Sequence, residues 1–326
     1  MCEVQQELKT PNLGRNTGIP LELDWLDEVR INKSAVERRA ATLPGRRTVK
    51  KQWQAAWLLR AISCMDLTSL SGDDTPGTIK RLCTKAKQPV REDLLQALGW
   101  DSPLHVGAVC VYYPFVRTAT KALEGTSIPV AAVAAGFPHG LSPMKARLAE
   151  IQSALEDGAE EIDIVITRAH VLNGEWQALY DEVATMREAC DNAHLKTILA
   201  TGELATLRNV GKASLVCMMA GADFIKTSTG KEAVNATIPV GLVMTRAIRD
   251  YRERTGFRVG FKPAGGIRTA KQALDWLILM REELGEAWQR PELFRIGAST
   301  LLADIERQLE HFATGRYSAF NRHPMA

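Results

Sequence analysis

The stretch DFIKTSTGK, Asp223 to Lys231, starts like a buried strand but places Lys226 where the apolar run should still face inward. Its apolar opening and its Thr- and Gly-rich end predict a strand that closes into a loop. The same pattern recurs outward in both directions, in Ile62–Thr68, His105–Tyr112, Pro129–Gly136, Glu161–Ile166, Leu195–Thr201, Val259–Gly265 and Leu293–Ser299. With Asp223–Thr229 these make eight strands. Longer segments of helical period lie between them, an alternation that predicts βα units and a parallel sheet. Eight such units over about 250 residues fit a closed barrel, whereas a doubly wound sheet would demand no particular count. The expected fold is α/β, a (β/α)8 TIM barrel with an N-terminal helical extension.

Three sets of apolar residues at helical spacing are expected to cover the outside of the sheet. They are Trp176, Leu179, Val183 and Met186; Leu204, Leu207 and Val210; and Leu302, Ile305, Leu309 and Phe312. Before the first strand, Leu21–Ile31 and Val49–Ile62 read as helices, the second with Trp53 and Trp57 one turn apart. Both are expected to pack across one end of the barrel. The boundaries expected are 1–60 for the extension, 61–315 for the barrel and 316–326 for a tail. The first dozen residues and the chain beyond Gly315 are expected to be mobile.

The 326 residues are 45% apolar and 24% charged, ordinary for a globular protein, and the net charge of +3 gives no argument for nucleic acid or membrane as a partner. The basic run GRRTVKK (Gly45–Lys51) is read as a solvated helix start rather than an RNA contact. Six cysteines without a CxxC pair, and no leader-like segment after Met1, predict a cytoplasmic, reducing setting. The apolar stretch Ile128–Phe137 is too short for the roughly 18 to 20 residues that span a bilayer. The six histidines show no metal-ligand spacing, so no metal is expected.

In such barrels the strands' C-terminal ends converge on one opening. Here they carry Asp66, Cys110, Asp163, Lys196, Lys226 and Lys262, and the eighth leads into Gly297, Ser299 and Thr300. One lysine in an apolar strand could reach the rim or sit in a structural ion pair. Two on adjacent strands point to chemistry, because a second cation and partial burial both disfavour protonation and free an amine to attack a carbonyl. Lys226 would be that amine and Lys262 the second cation. Asp163 suits the proton transfers that follow, or simply neutralises the lysines; residue type does not separate the two. Asp66 and Lys196 would orient the cluster, Lys196 in the more structural role, and Cys110 is the weakest member since buried cysteines usually behave as small hydrophobes. Gly230, Lys231, Gly265, Gly266, Arg268, Gly297, Ser299 and Thr300 would bind phosphate beside it, the alternative being ordinary turns.

Taken together, DFIKTSTGK, GFKPAGGIR, EIDIVI, MDLTSLSGDDT and FRIGASTLL resemble deoxyribose-phosphate aldolase, a class I aldolase family of (β/α)8 fold, from about Ile62 to Leu309. The long N-terminal segment resembles its animal members. The resemblance implies reversible cleavage of 2-deoxy-D-ribose 5-phosphate to D-glyceraldehyde 3-phosphate and acetaldehyde, within deoxynucleoside catabolism and without a cofactor. It implies Lys226 as Schiff-base lysine, Lys262 as its activator, Asp163 as proton relay and the glycine loops as phosphate site. The bacterial members' C-terminal tyrosine has no counterpart in the ending NRHPMA, so that role is not carried to Tyr317. A sugar phosphate is the partner implied, and the oligomeric state is left open, a homo-oligomer included. The rival readings are another Schiff-base aldolase or transaldolase, and a barrel turned scaffold or regulator.

Overall fold

Eight parallel strands form one sheet: Met65–Thr68 (β1), Ala108–Tyr112 (β2), Val130–Val133 (β3), Glu161–Val165 (β4), His194–Ile198 (β5), Phe224–Lys226 (β6), Gly260–Lys262 (β7) and Ile296–Ala298 (β8). These come from a computed structural model that describes residues 14–319 and 322–323. Strand order runs β7-β6-β5-β4-β3-β2-β1-β8, all parallel. Bridges Phe261–Phe294 and Ala264–Gly297 join the two ends, so the sheet closes into a barrel. Both faces of the strands are buried, which is why they read as near-continuous apolar runs rather than alternating ones.

Every expected strand is present, each shorter than its apolar run. The largest correction is at Ile62 and Ser63, which end a helix, Gln52–Ser63, instead of opening β1. The helices after the strands start where threonine can cap them: Thr75, Thr206, Thr237 and Thr269 each accept a hydrogen bond from the backbone N–H three residues on. Each such cap is worth about 1 kcal/mol. The expected helix faces hold for Leu179, Val183 and Met186 and for Leu302, Ile305 and Leu309, all fully buried. Phe312 is 45% exposed, being one position too far round the Leu301–Thr314 helix to reach the core.

The extension carries three α-helices, Leu23–Glu28, Lys33–Thr42 and Gln52–Ser63, of which the sequence reading lacked the second. That helix has few apolar residues, burying Val36 and Ala40, so its period is faint. The extension packs beside the barrel's outer helices instead of across an end: Lys33–Thr42 on Ile238–Thr255, and Gln52–Ser63 on Ala270–Glu283 and Leu301–Thr314. Trp53 is left 65% exposed. Arg46 and Arg47 of the basic run reach Glu282 at 3.9 and 2.7 Å, which pins the run to a barrel helix. Upstream, Asn16 is buried, its side-chain amide donating to the carbonyls of Met218 and Ala222 at 2.7 and 2.9 Å.

The expected mobility of the first dozen residues falls outside the described part of the chain. Beyond Gly315, Tyr317 stacks on His311 with ring centroids 4.1 Å apart. His323 is buried, its ring nitrogens 3.3 Å from Glu306 and 2.8 Å from Glu310. The described tail is therefore docked on the last helix. Among the described residues no helix is long and apolar enough to cross a membrane.

If the extension is integral to the fold, truncating its core should be felt globally. Leu58→Ala, at a side chain 1% exposed, is expected to cost about 2–5 kcal/mol, read from the urea midpoint with one transition. A cost near zero, or a separate early transition, would show an extension folding apart from the barrel.

Candidate active site

Residues two apart on one strand, and partners in register on neighbouring strands, point side chains to the same side, and the barrel uses this to stack charge in its interior. Asp163 lies opposite Lys196, and Lys226 opposite Lys262, in the strand ladders. Asp66 on β1 and Arg295, just before β8, complete the ring with Glu161. All seven residues are buried, none more than 5% exposed.

Asp163 is the hub. Its Oδ2 accepts from Lys226 Nζ at 2.8 Å and Lys262 Nζ at 2.7 Å, and its Oδ1 from Lys196 Nζ at 3.0 Å. Lys262 also sits 2.6 Å from Asp66 Oδ2 in an ion contact without hydrogen-bond alignment. Lys196 donates to Glu161 at 2.5 Å, and Arg295 bridges Asp66 at 2.6 Å and Glu161 at 2.8 Å. The sequence reading had Asp66 and Lys196 as orienting partners, and both are in the network.

Burial works against charge on every one of these groups, and their neighbours decide the outcome. For Asp163 burial is outweighed by Lys196, Lys226 and Lys262, which hold the carboxyl well below its usual range. Burial alone would lower Lys262, but Asp163 and Asp66 raise it well above an ordinary lysine. Lys226 goes the other way: burial lowers it, Asp163 opposes, and the Lys262 ammonium lowers it further. Of the three lysines only Lys226 is shifted toward the free amine.

Lys226 also opens onto a cavity of about 320 Å3, and Lys196 and Lys262 do not line it. All eight expected phosphate residues do: Gly230, Lys231, Gly265, Gly266, Arg268, Gly297, Ser299 and Thr300. Besides Lys226 the lining holds two cations, Lys231 and Arg268, and no carboxylate. Thr300 caps the Leu301–Thr314 helix without a side-chain bond, so that helix offers its N-terminal N–H groups to the cavity. Gly265 and Gly266 have φ of +85° and +79°, a turn that β-carbons resist, and at Gly265 a Cβ would also strike Asn235. Gly230 gives its N–H to Glu232 at 3.1 Å, so it shapes the loop without offering that donor.

The sequence reading missed two kinds of residue. Arg295 and Glu161 lie two positions before Gly297 and Asp163 on their strands, and a charge at that spacing in an apolar run was the available signal. Thr68, Ser69, Leu70 and Ser71 also line the cavity, and Lys231 Nζ donates to the Leu70 carbonyl at 3.1 Å across its mouth. Cys110 is fully buried, with Ala131 and Val133 in a small apolar cluster beside Leu70, Tyr112 and Phe137. Burial pushes its thiol up, so it remains protonated beside the lysines.

A family model for DeoC/LacD aldolases matches residues 60–306. The chain belongs to this family. It is 62% identical over 314 residues to a human protein named deoxyribose-phosphate aldolase, covering 95% of this chain and 99% of the relative. A bovine protein of the same name is 61% identical over 312 residues, covering 95% and 98%. Among solved structures, a deoxyribose phosphate aldolase from Aeropyrum pernix, described as tetrameric, superposes with a TM-score of 0.58 at 22% identity, over 86% of this chain and 99% of that one. That likeness bears on fold alone, and agrees with the barrel.

Two expectations follow from the geometry. A methyl at Gly297 would lie 2.8 Å from Ala264 Cβ and 3.3 Å from Lys262 Cε. Gly297→Ala is therefore expected to displace Lys262 and lower kcat about 10²-fold, with unchanged turnover refuting the tight fit. Asp66, Glu161 and Asp163 have folded pKa values below their unfolded ones. Their stabilisation is complete above about pH 4 and fades as pH falls through the folded values. The urea midpoint should drop below about pH 4, and Asp163→Asn should flatten that drop while lowering stability at neutral pH.

Proposed function

We propose that this chain is a deoxyribose-phosphate aldolase that cleaves 2-deoxy-D-ribose 5-phosphate reversibly to D-glyceraldehyde 3-phosphate and acetaldehyde through a Schiff base on Lys226. One observation carries the reading: the only cluster lysine opening on the cation-lined cavity is the one whose amine is disfavoured as an ammonium. The family and the named relatives supply the reaction class and substrate.

In this reading the 5-phosphate sits on the loops after β7 and β8 with Lys231 and Arg268, and the open-chain C1 aldehyde reaches Lys226. The neutral amine adds to C1, and Lys262 with Asp163 passes a proton to the carbinolamine oxygen, which leaves as water. The resulting iminium draws in the electron pair of the C2–C3 bond as the C3 hydroxyl gives up its proton to Asp163. That bond breaks, releasing glyceraldehyde 3-phosphate and leaving an enamine. Protonation at C2 and hydrolysis of the iminium then return acetaldehyde and the free amine. The reverse sequence makes the sugar. All five described cysteines are free and buried, which supports the reading of a cytoplasmic enzyme in a reducing compartment.

Incubation with acetaldehyde and borohydride, followed by peptide mapping, should label Lys226 and no other residue of the cluster. Lys226→Arg should lose at least about 10⁴-fold in kcat, because a guanidinium does not become a nucleophile. Lys262→Leu should be slowed about 10²–10⁴-fold with its acid limb moved upward. Preference for ribose 5-phosphate or fructose 1,6-bisphosphate over the deoxy sugar would assign the chain to a different Schiff-base aldolase.

A further inference from the structure

Beneath the lysines lies a layer that the reaction just described does not use. Arg295 precedes β8 and Glu161 opens β4, which stand four strands apart on opposite walls of the barrel. Arg295 Nη2 donates to Glu161 Oε1 at 2.8 Å and Nη1 to Asp66 Oδ1 at 2.6 Å, spanning the interior. Its guanidinium carbon lies 5.9 Å from the ring centroid of Phe224, whose ring occupies the space where a Gly260 side chain would be. Neither residue reaches the cavity.

The cluster can be counted. Its cations are Lys196, Lys226, Lys262 and Arg295, and its carboxylates are Asp66, Glu161 and Asp163. Four against three leaves one uncompensated positive charge among residues none of which is more than 5% exposed. A buried uncompensated charge is costly, and the group that can shed it is an amine rather than a guanidinium. The neighbouring thiols supply no counter-charge: burial pushes Cys64 up to about 12 and raises Cys110 as well.

We propose that Arg295 and Glu161 are positioning residues for the aldol chemistry, a cross-barrel pair whose charges make the cluster balanced when the Lys226 amine is neutral. The pair touches no substrate atom and acts through Asp66 and Lys196 on Asp163, and through Asp163 on Lys226. Without the guanidinium, three lysines would face three carboxylates and Lys226 would be held as an ammonium. Without the Glu161 charge, four cations would face two carboxylates and Lys226 would shed its proton more readily. The two losses therefore have opposite signs.

This inference rests on Lys226 being the Schiff-base lysine, and the experiment separates the two claims. The full chain is incubated with acetaldehyde and borohydride across pH 5 to 10, and the rate of labelling at Lys226 is followed by mass. Arg295→Met should move the acid limb of that profile up by about one pH unit or more, Glu161→Gln should move it down, and the double variant should bring it back toward the parent. Arg295→Lys, which keeps the charge, should leave the limb in place even if the maximal rate falls. Equal profiles for all four variants, or shifts of one sign, would overturn the proposal. If Arg295→Met does not fold, a profile of Glu161→Gln that fails to move downward overturns it alone. An unlabelled Lys226 in the parent chain would instead overturn the proposed function.

Discussion

One carboxylate, Asp163, accepts hydrogen bonds from three buried lysines, and the interior of the barrel is organised around that fact. Barrels of this kind ordinarily fill their centre with layers of branched apolar side chains. Here the middle layers are ionic. An ion pair taken out of water repays its desolvation only with close geometry and further hydrogen bonds, and breaking one partner leaves a stranded charge. The strands must therefore hold their register, because a slip by one residue would turn Asp163 and its lysines outward.

The same constraint separates the buried cluster from the open cavity. Lys262 and Lys196 are sealed inside, with charges fixed by carboxylates, while Lys226 stands at the boundary with one side on Asp163 and the other on the cavity. An amine in that position feels burial and a neighbouring cation without being locked into a second ion pair. Above it the cavity is lined by backbone turns, a helix N-terminus and two exposed cations, a setting that favours an anion. Electrostatic preorganisation of this kind needs no rearrangement when the reacting group arrives.

The periphery is tied to the barrel at several points. Asn16 is tied beneath β6 by its side-chain amide, the Gln52–Ser63 helix leads into β1, and Arg46 and Arg47 hold the connecting run to Glu282. His323 fixes the described tail to the last helix at Glu306 and Glu310. Each contact lies on the outer helices or the N-terminal rims of the strands, away from the cavity.

Sequence alone determined the architecture and brought the strand lysines forward as candidates. Parallel strands buried on both faces read as near-continuous apolar runs, so eight such runs were countable, and lysines within three of them stood out against that background. Glycines in FKPAGGIR and FRIGAS marked turns whatever surrounded them. Partnership across the barrel was decided only by the closed sheet. Arg295 and Glu161 lie 134 residues apart, and nothing local records that their strands face each other. Sequence assigned the free amine to Lys226, but the physical ground, that Lys262 meets two carboxylates and Lys226 one, exists only once the barrel has closed.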